Sequence, residues 1–345
     1  MATNYYVRPE GSDSNDGSTH ALAKQRLSAM IAVLEDPITD EVCINMEIGS
    51  YSSPNGYSET SGVVQLKNLR CSGPDASLTI RTYKFDDPNC TYFDMGSYFG
   101  NSDPYGLGSQ WNPHAQKPIY LGYRLEIINF SGNINLEGLG MWKSGSPWPM
   151  KGLYVENSND VHVMYCSFGF WAAGVHAARN SIVTFENSFA ALCNMAVVGS
   201  EGSQIFMVGD NYLEDHVKFG LVCYNNTTAV FRSWPDNLGD HFTTEISTSI
   251  PRKRYAAIKA LLNSSIIIED PDLNPTQTTA ARIKIMNESL LETKEYHGVS
   301  LGSKSMLMGA EHFTFSDPDI NQGKPTVPAG QQILLEDGEG ALAIE

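Results

Sequence analysis

Charge is scarce in this chain, and basic charge scarcest. Asp, Glu, Lys and Arg together make up 18% of the 345 residues, and 39 acidic side chains outnumber 23 basic ones, for a formal net charge of −16. An acidic surface repels phosphate backbones and anionic lipid, so neither nucleic-acid binding nor a membrane-surface role is expected. No apolar run reaches the ~18 residues that a membrane span needs. The N-terminal stretch MATNYYVRPEG has neither a basic n-region nor an apolar h-region, so no secretory signal peptide is expected. The six cysteines (Cys43, Cys71, Cys90, Cys166, Cys193 and Cys223) form no CxxC pair and have no histidines at zinc spacing. Most lie in apolar runs such as VCINM and GLVCY, which predicts free, buried thiols in a reducing cytosol. P-loop, GxGxxG, HExxH and GxSxG motifs are lacking, and no Asp-rich calcium cluster occurs on the repeats described below. No metal and no cofactor is expected.

Apolar residues are present at 41%, with 30 Gly and 16 Tyr. Low charge with abundant Gly, Ser, Asn and Tyr favours an all-β architecture rich in turns. One helix is predicted, over 20–35, because Ala23, Leu27, Met30, Ile31 and Leu34 share a face at three-to-four spacing. Ser18 or Thr19 can cap its start, and Asp36-Pro37 stops it. The preceding GSDSNDGS reads as a turn, since Asp13, Asn15 and Gly17 lack the full acidic spacing and the distal Glu of a calcium loop.

Beyond residue 150 the sequence repeats. LYVENSNDVHVMYCSF, GVHAARNSIVTFENSF, MAVVGSEGSQIFMVGDNY, IKALLNSSIIIED, IKIMNESLLE and GVSLGSKSMLMGAEHF each read as apolar strand, small polar bend, apolar strand. Val161, Ile182, Ile205, Val230, Ile266, Leu290 and Met306 follow the bends, and Phe168, Phe189 and Tyr212 form a second column. A period of some 20–25 residues with no intervening helix predicts a solenoid of stacked parallel strands rather than a β-sandwich. The open end of such a stack is an unpaired strand edge, and the helix 20–35 is expected to lie over it as a lid. The expected domains are therefore 1–40 (strand and capping helix), 41–315 (the solenoid) and 316–345 (a tail).

The segment YYVRPEGSDSNDGS, the capping helix, the strand VCINMEIGSY and the coils that follow resemble the pectate-lyase-like right-handed parallel β-helix superfamily. The layout looks most like bacteriophage tail spikes and tail-fibre proteins, over about residues 5–315. The ending QQILLEDGEGALAIE is similar to short acidic-apolar tails of phage structural proteins. The resemblance implies a right-handed single-stranded β-helix and a homotrimer within a phage tail. It further implies other virion proteins as partners, contact with host cell-surface polysaccharide, no membrane insertion, and synthesis in the bacterial cytoplasm.

Solenoids carry function on segments that leave the coil. Three insertions stand out, 85–117, 141–150 and 232–254. Aromatics beside Asp and Asn suit sugar rings, because aromatic faces cover C–H patches while amides and carboxylates bond hydroxyls. Trp111, Trp142, Trp148, Trp171 and Asp103 are accordingly the candidates for binding carbohydrate or a partner; packing against the coil or another subunit is the other reading. If the protein is instead a polysaccharide depolymerase, a glycosidase needs two carboxyls ~5–9.5 Å apart. Glu186, Asp210, Glu214 and Asp215, on or near adjacent coils, are then the catalytic candidates. His176 with Arg179 reads as a polar bend, and His241 and His312 as packing beside aromatics.

Overall fold

The computed structural model describes residues 2–47, 49–50, 62–83, 119–121, 123–142, 151–169, 171–191, 193–209, 211–216, 219–232, 244–248, 256–268, 283–286, 297–301, 305–308, 313–315, 333–335 and 341–342. The insertion 85–117, Cys90, Leu290, 143–150 and 233–243 therefore lie outside the described residues. The chain divides into two compact units, the first made of Met1–Ser146 and Gly152–Ser167, the second of Pro147–Lys151 and Phe168–Glu345.

In the first unit the strands form three rows. Thr3–Val7, Glu41–Glu47, Ser77–Tyr83, Asn133–Glu137 and Val161–Met164 pair side by side, all parallel. A second row joins Val63–Lys67, Arg124–Ile128 and Lys151–Glu156, and a third joins Gly49–Ser50, Ile119–Leu121 and Gly140–Trp142. The chain visits the first, third and second rows in turn, so three short strands make one coil. Alternate residues point inward, where Ile44, Met46, Leu78, Ile80, Ile134 and Leu136 are fully buried.

The second unit follows the same plan. Its first row runs Ile182–Glu186, Gln204–Val208, Thr228–Arg232, Ser265–Ile268 and Met306–Met308. Its second row runs from Ala173–Ala178 through Met195–Ser200, Phe219–Tyr224, Ala256–Leu261 and His297–Leu301 to Ile333–Leu335. Its third row runs Phe189–Ala191, Asn211–His216, Thr244–Thr248, Ile283–Met286 and Phe313–Phe315. In these rows the strands pair in parallel, and Ile333–Leu335 pairs antiparallel with Ala341–Leu342. These are parallel sheets stacked as in a β-helix, and the antiparallel ladders of a sandwich are not what the strands form. The last two strands fall in the segment 316–345 expected as a tail, and Thr3–Val7 of the segment 1–40 belongs to the first row.

The bends explain the asparagines. Asn68, Asn129 and Asn157 all have positive φ, a left-handed conformation that a short amide side chain tolerates. Their amides stack: Asn157 Nδ2 donates to Asn129 Oδ1, and Asn129 Nδ2 donates to Asn68 Oδ1, each at 2.9 Å. In the second unit the bends use consecutive left-handed pairs, Arg179-Asn180, Glu201-Gly202, Asn225-Asn226 and Leu262-Asn263. A buried Ser181, Ser203, Thr227 or Ser264 follows each and donates its hydroxyl to the carbonyl three residues back. Gly209 holds φ +70°, where a side chain would be strained, and a Cβ there would sit 2.3 Å from Asn187 Oδ1 and displace that amide.

Two expectations need correction. The helix is Leu27–Ile31, far shorter than 20–35. Asp13 accounts for this: its Oδ1 accepts the backbone N–H groups of Gln25 and Arg26 while Oδ2 pairs with the Arg26 guanidinium. That holds Arg26 extended and lets Lys24 bridge to Val7, so no helical turn forms before Leu27. Ala23, Leu27 and Met30 are buried as the pattern required. The Lys24 ammonium donates to the Asp13 and Asn15 carbonyls, so a lysine fills the centre of the hairpin that superficially resembles a calcium loop. The second correction is register. Phe189 does face Tyr212, but Ile205 stacks on Val183 and Ala229, not on Ile182 and Val230. A one-residue slip exchanges the faces of a strand, so Ile182 points outward.

Candidate functional site

The residues singled out in the sequence scatter. Asp103, Trp111, Trp148 and Asp210 lie outside the described residues. Trp142 closes the strand Gly140–Trp142. Glu214 and Asp215 belong to Asn211–His216 in the third row, where Glu214 stands opposite Ala191. Glu186 is in the first row opposite Val208, which in turn faces Arg232, so the ladders do not pair it with Glu214. Its side chain is only 2% exposed and accepts from Asn187 Nδ2 at 3.4 Å. Trp171 is also 2% exposed, which leaves no open ring face for a sugar. Five cysteines are free; four are buried, and burial raises Cys166 to about 12, so its thiol is inert.

What the structure does bring together is an outward polar surface on the first row of the first unit, which the sequence reading did not single out. Register places Tyr6, Asn45, Arg81 and Glu137 in one outward column. Asn4, Cys43, Thr79, Asn135 and His162 fill the next column. Coils in a parallel sheet lie ~4.8 Å apart, so successive members of a column are in side-chain reach. Asn45 Nδ2 donates to Asn4 Oδ1 at 3.1 Å and to the Tyr5 carbonyl at 3.2 Å, and Arg81 Nε donates to Asn45 Oδ1 at 2.8 Å. Asn135 Nδ2 donates to Thr79 Oγ1 at 3.3 Å. Asn45 is 1% exposed although it points away from the core, because its own neighbours cover it.

Glu137 ends the first of these columns, beside Arg81. Burial pushes its carboxyl above the ordinary glutamate range; Arg81 and His162 pull it back, and Glu41 adds to the rise. Glu47, further along the same row, is also raised by burial, against the pull of His20. The same burial raises the Cys43 thiol, which donates to Glu41 Oε1 at 3.8 Å. A carboxyl biased toward its protonated form, set beside a guanidinium and an imidazole on an amide-rich surface, can give up a proton and have the resulting charge stabilised.

No family model matches the chain, and no curated protein matches it. Among solved structures it is similar to the pectate lyase Pel9A, with 14% identity, 92% of this chain and 78% of that chain covered, and a TM-score of 0.44. A lacto-N-biosidase of Eubacterium ramulus is similar at 13% identity and a TM-score of 0.32, over 88% of this chain and 56% of that one. A rhamnogalacturonan lyase follows at 11% identity and 0.28, over 88% and 74%. The fold assignment rests on the chain's own parallel ladders.

Proposed function

We propose that the protein is a polysaccharide-cleaving enzyme whose sugar chain lies along the outward first row of the first unit. The carrying observation is Glu137, a carboxyl raised by burial and flanked by Arg81 and His162 on a surface of asparagine and threonine. Asn135, half-buried beside Thr79, supplies an amide of the kind that sugar hydroxyls require. In this reading Glu137 protonates the departing glycosidic oxygen as its C–O bond breaks, water adds to the anomeric carbon and gives its proton to solvent, and Arg81 stabilises the carboxylate left behind. A right-handed coil with Leu27–Ile31 lidding its open end belongs to the same proposal, since parallel crossovers are right-handed almost without exception. The test is reducing-end release from a panel of bacterial capsular and O-antigen polysaccharides. Wild type should release ends, and Glu137→Gln should lower the rate 100-fold or more at unchanged fold. A Glu137→Gln variant of full activity removes Glu137 from the mechanism; an inactive wild type removes the enzyme reading.

A second reading has its own observation. One outward column of the second unit runs from Thr184 into the apolar Phe206, Val230 and Ile267, and Arg232 lies over the Phe206 ring at 4.5 Å. An apolar outward column suits burial by another copy, in keeping with a tail-spike or tail-fibre component that assembles as a homotrimer, joins other tail proteins in a virion and recognises host polysaccharide. Light scattering tests it: a trimer that Phe206→Glu converts to monomer supports this reading, and a monomeric wild type ends it.

A further inference from the structure

We infer a second carbohydrate-binding site on the first unit, formed by the outward side chains of its second strand row and suited to a neutral sugar residue. In this row Val64, Leu66, Leu125, Ile127, Leu153 and Val155 point inward and are buried. Gln65, Glu126 and Tyr154 therefore form one outward column, and Lys67, Ile128 and Glu156 the next, with Arg124 beside Val63 at the edge. Glu126 is 3% exposed on this outward face and keeps its carboxylate saturated. Gln65 Nε2 donates to its Oε2 at 2.6 Å, and the Arg124 guanidinium pairs with its Oε1. Tyr154, half-buried next to Glu126 in the ladder, donates its hydroxyl to Glu156 Oε2 at 2.7 Å.

Two features mark this as a site and not only a surface network. Arg124 Nε is buried and has no acceptor among the described residues, and burial pulls the guanidinium below its ordinary range. A buried donor without a partner is a standing cost to the fold, which an acceptor oxygen on a ligand removes. Beside it the Tyr154 ring offers an apolar face fixed at its hydroxyl end, the arrangement that covers the C–H patch of a pyranose. The charges at the row's outward positions cancel, with Lys67 and Arg124 against Glu126 and Glu156, so within a chain of net charge −16 this outward face is electrically even. That balance gives an anionic sugar no net attraction, whereas a neutral ring with hydroxyl acceptors meets both the orphan N–H and the aromatic face.

The inference does not depend on chemistry at Glu137, and its test keeps the two apart. Affinity electrophoresis is run through gels containing galactan, xylan, dextran or, as the acidic control, polygalacturonate. The full-length chain is used both as wild type and as Glu137→Gln, so that cleavage cannot consume the polymer. At least one neutral polymer should retard both chains. Tyr154→Ala and Gln65→Ala should each weaken that retardation about tenfold, while Tyr154→Phe, which keeps the ring, should retain most of it. Arg124→Lys preserves the positive partner of Glu126 but removes the buried N–H, and should weaken binding without unfolding the chain; circular dichroism checks the fold. Retardation by no neutral polymer overturns the inference, as does equal retardation of wild type, Tyr154→Ala and Arg124→Lys. Full hydrolysis by Glu137→Gln with Tyr154-dependent retardation intact would remove the Glu137 assignment and leave this site standing.

Discussion

The two units build the same strand plan and turn opposite surfaces outward. On the first unit the outward columns hold Asn45, Arg81, Glu137, Asn135 and His162 in one row and Gln65, Arg124, Glu126 and Tyr154 in another. On the second unit one outward column holds Thr184, Phe206, Val230 and Ile267, and a column of the second row holds His176, Val198 and Val222. His176 there is buried, and its Nε2 lies 2.9 Å from Ser200 Oγ. The difference teaches where freedom lies in a stacked coil. Inward columns are fixed by packing, and both units fill them alike with Ile, Leu, Val, Met and Phe. Outward columns need only satisfy the strand, so they carry the specialisation.

The contrast should appear most strongly in acid. Burial, with Lys151 nearby, lowers His176 from 6.5 to about 3. The unfolded chain then binds a proton that the native state refuses, so this contribution is complete above about pH 6.5 and is lost as pH falls toward 3. The slope is about 1.4 kcal/mol per pH unit, on the order of 5 kcal/mol over the interval. Urea titration of wild type and His176→Asn from pH 7 to 4 reads it: the wild type should lose this stability and the variant should not. Parallel losses would mean that His176 is already charged in the folded protein.

The bends give the next largest effect. Asn129 both donates to and accepts from neighbouring asparagines while holding φ 53°. Asn129→Ala removes two stacked hydrogen bonds and puts alanine in the left-handed region, a loss of roughly 2–3 kcal/mol. The second unit's bends rest on hydroxyl-to-carbonyl bonds instead. Ser203→Ala should therefore cost about 1 kcal/mol, mainly its one hydrogen bond. Equal losses in the two variants would dissolve the distinction between the bends.

Legibility in the sequence divided along the same line. The second unit announced itself because its coils follow one another with short bends, so the Phe189–Tyr212 column could be read directly. Its exact register could not, since Ile182 and Val183 are both apolar and only packing decides which turns inward. The first unit's coils are separated by long insertions, which hid the kinship of EVCINME, SLTIRTY, NINLE and VHVM. Their alternation was nevertheless present: Asn45, Arg81, Glu137 and His162 each sit one step from a buried apolar residue. A search for paired carboxylates passed over them, because here one carboxyl is modulated by a guanidinium and an imidazole. The helix was overdrawn because the capture of Gln25 and Arg26 by Asp13 is a contact across twelve or more residues, invisible to periodicity.

Glu137 should move with acid in the opposite sense to His176, by a smaller amount. Its folded carboxyl is raised above the ordinary 4.5, so the native state holds its proton more tightly than the unfolded chain. That contribution is complete below the unfolded value and is lost as pH rises through the folded one. In Glu137→Gln, stability should fall less than in wild type as pH rises from about 4.5. An unchanged pH profile would mean that Glu137 is solvated, and it would take the proton-donor assignment with it.

The smallest expected effect is a gain. Leu262 holds φ 56° with its side chain 54% exposed, ahead of Asn263 at φ 62°. The equivalent position one coil earlier is Asn225, at φ 57°, within the bend whose Asn226 N–H bonds the Leu262 carbonyl. Left-handed backbone costs an ordinary side chain roughly 1–2 kcal/mol, and asparagine much of that less. Since Leu262 is more exposed than buried, little packing offsets the strain. Leu262→Asn should therefore stabilise the chain by about 1 kcal/mol, and Asn225→Leu should destabilise it by a similar amount. The pair makes the measurement self-checking, because the two urea midpoints should move in opposite directions. A neutral or destabilising Leu262→Asn would mean that the leucine is covered, and the outward apolar character of the second unit would then extend to its bends.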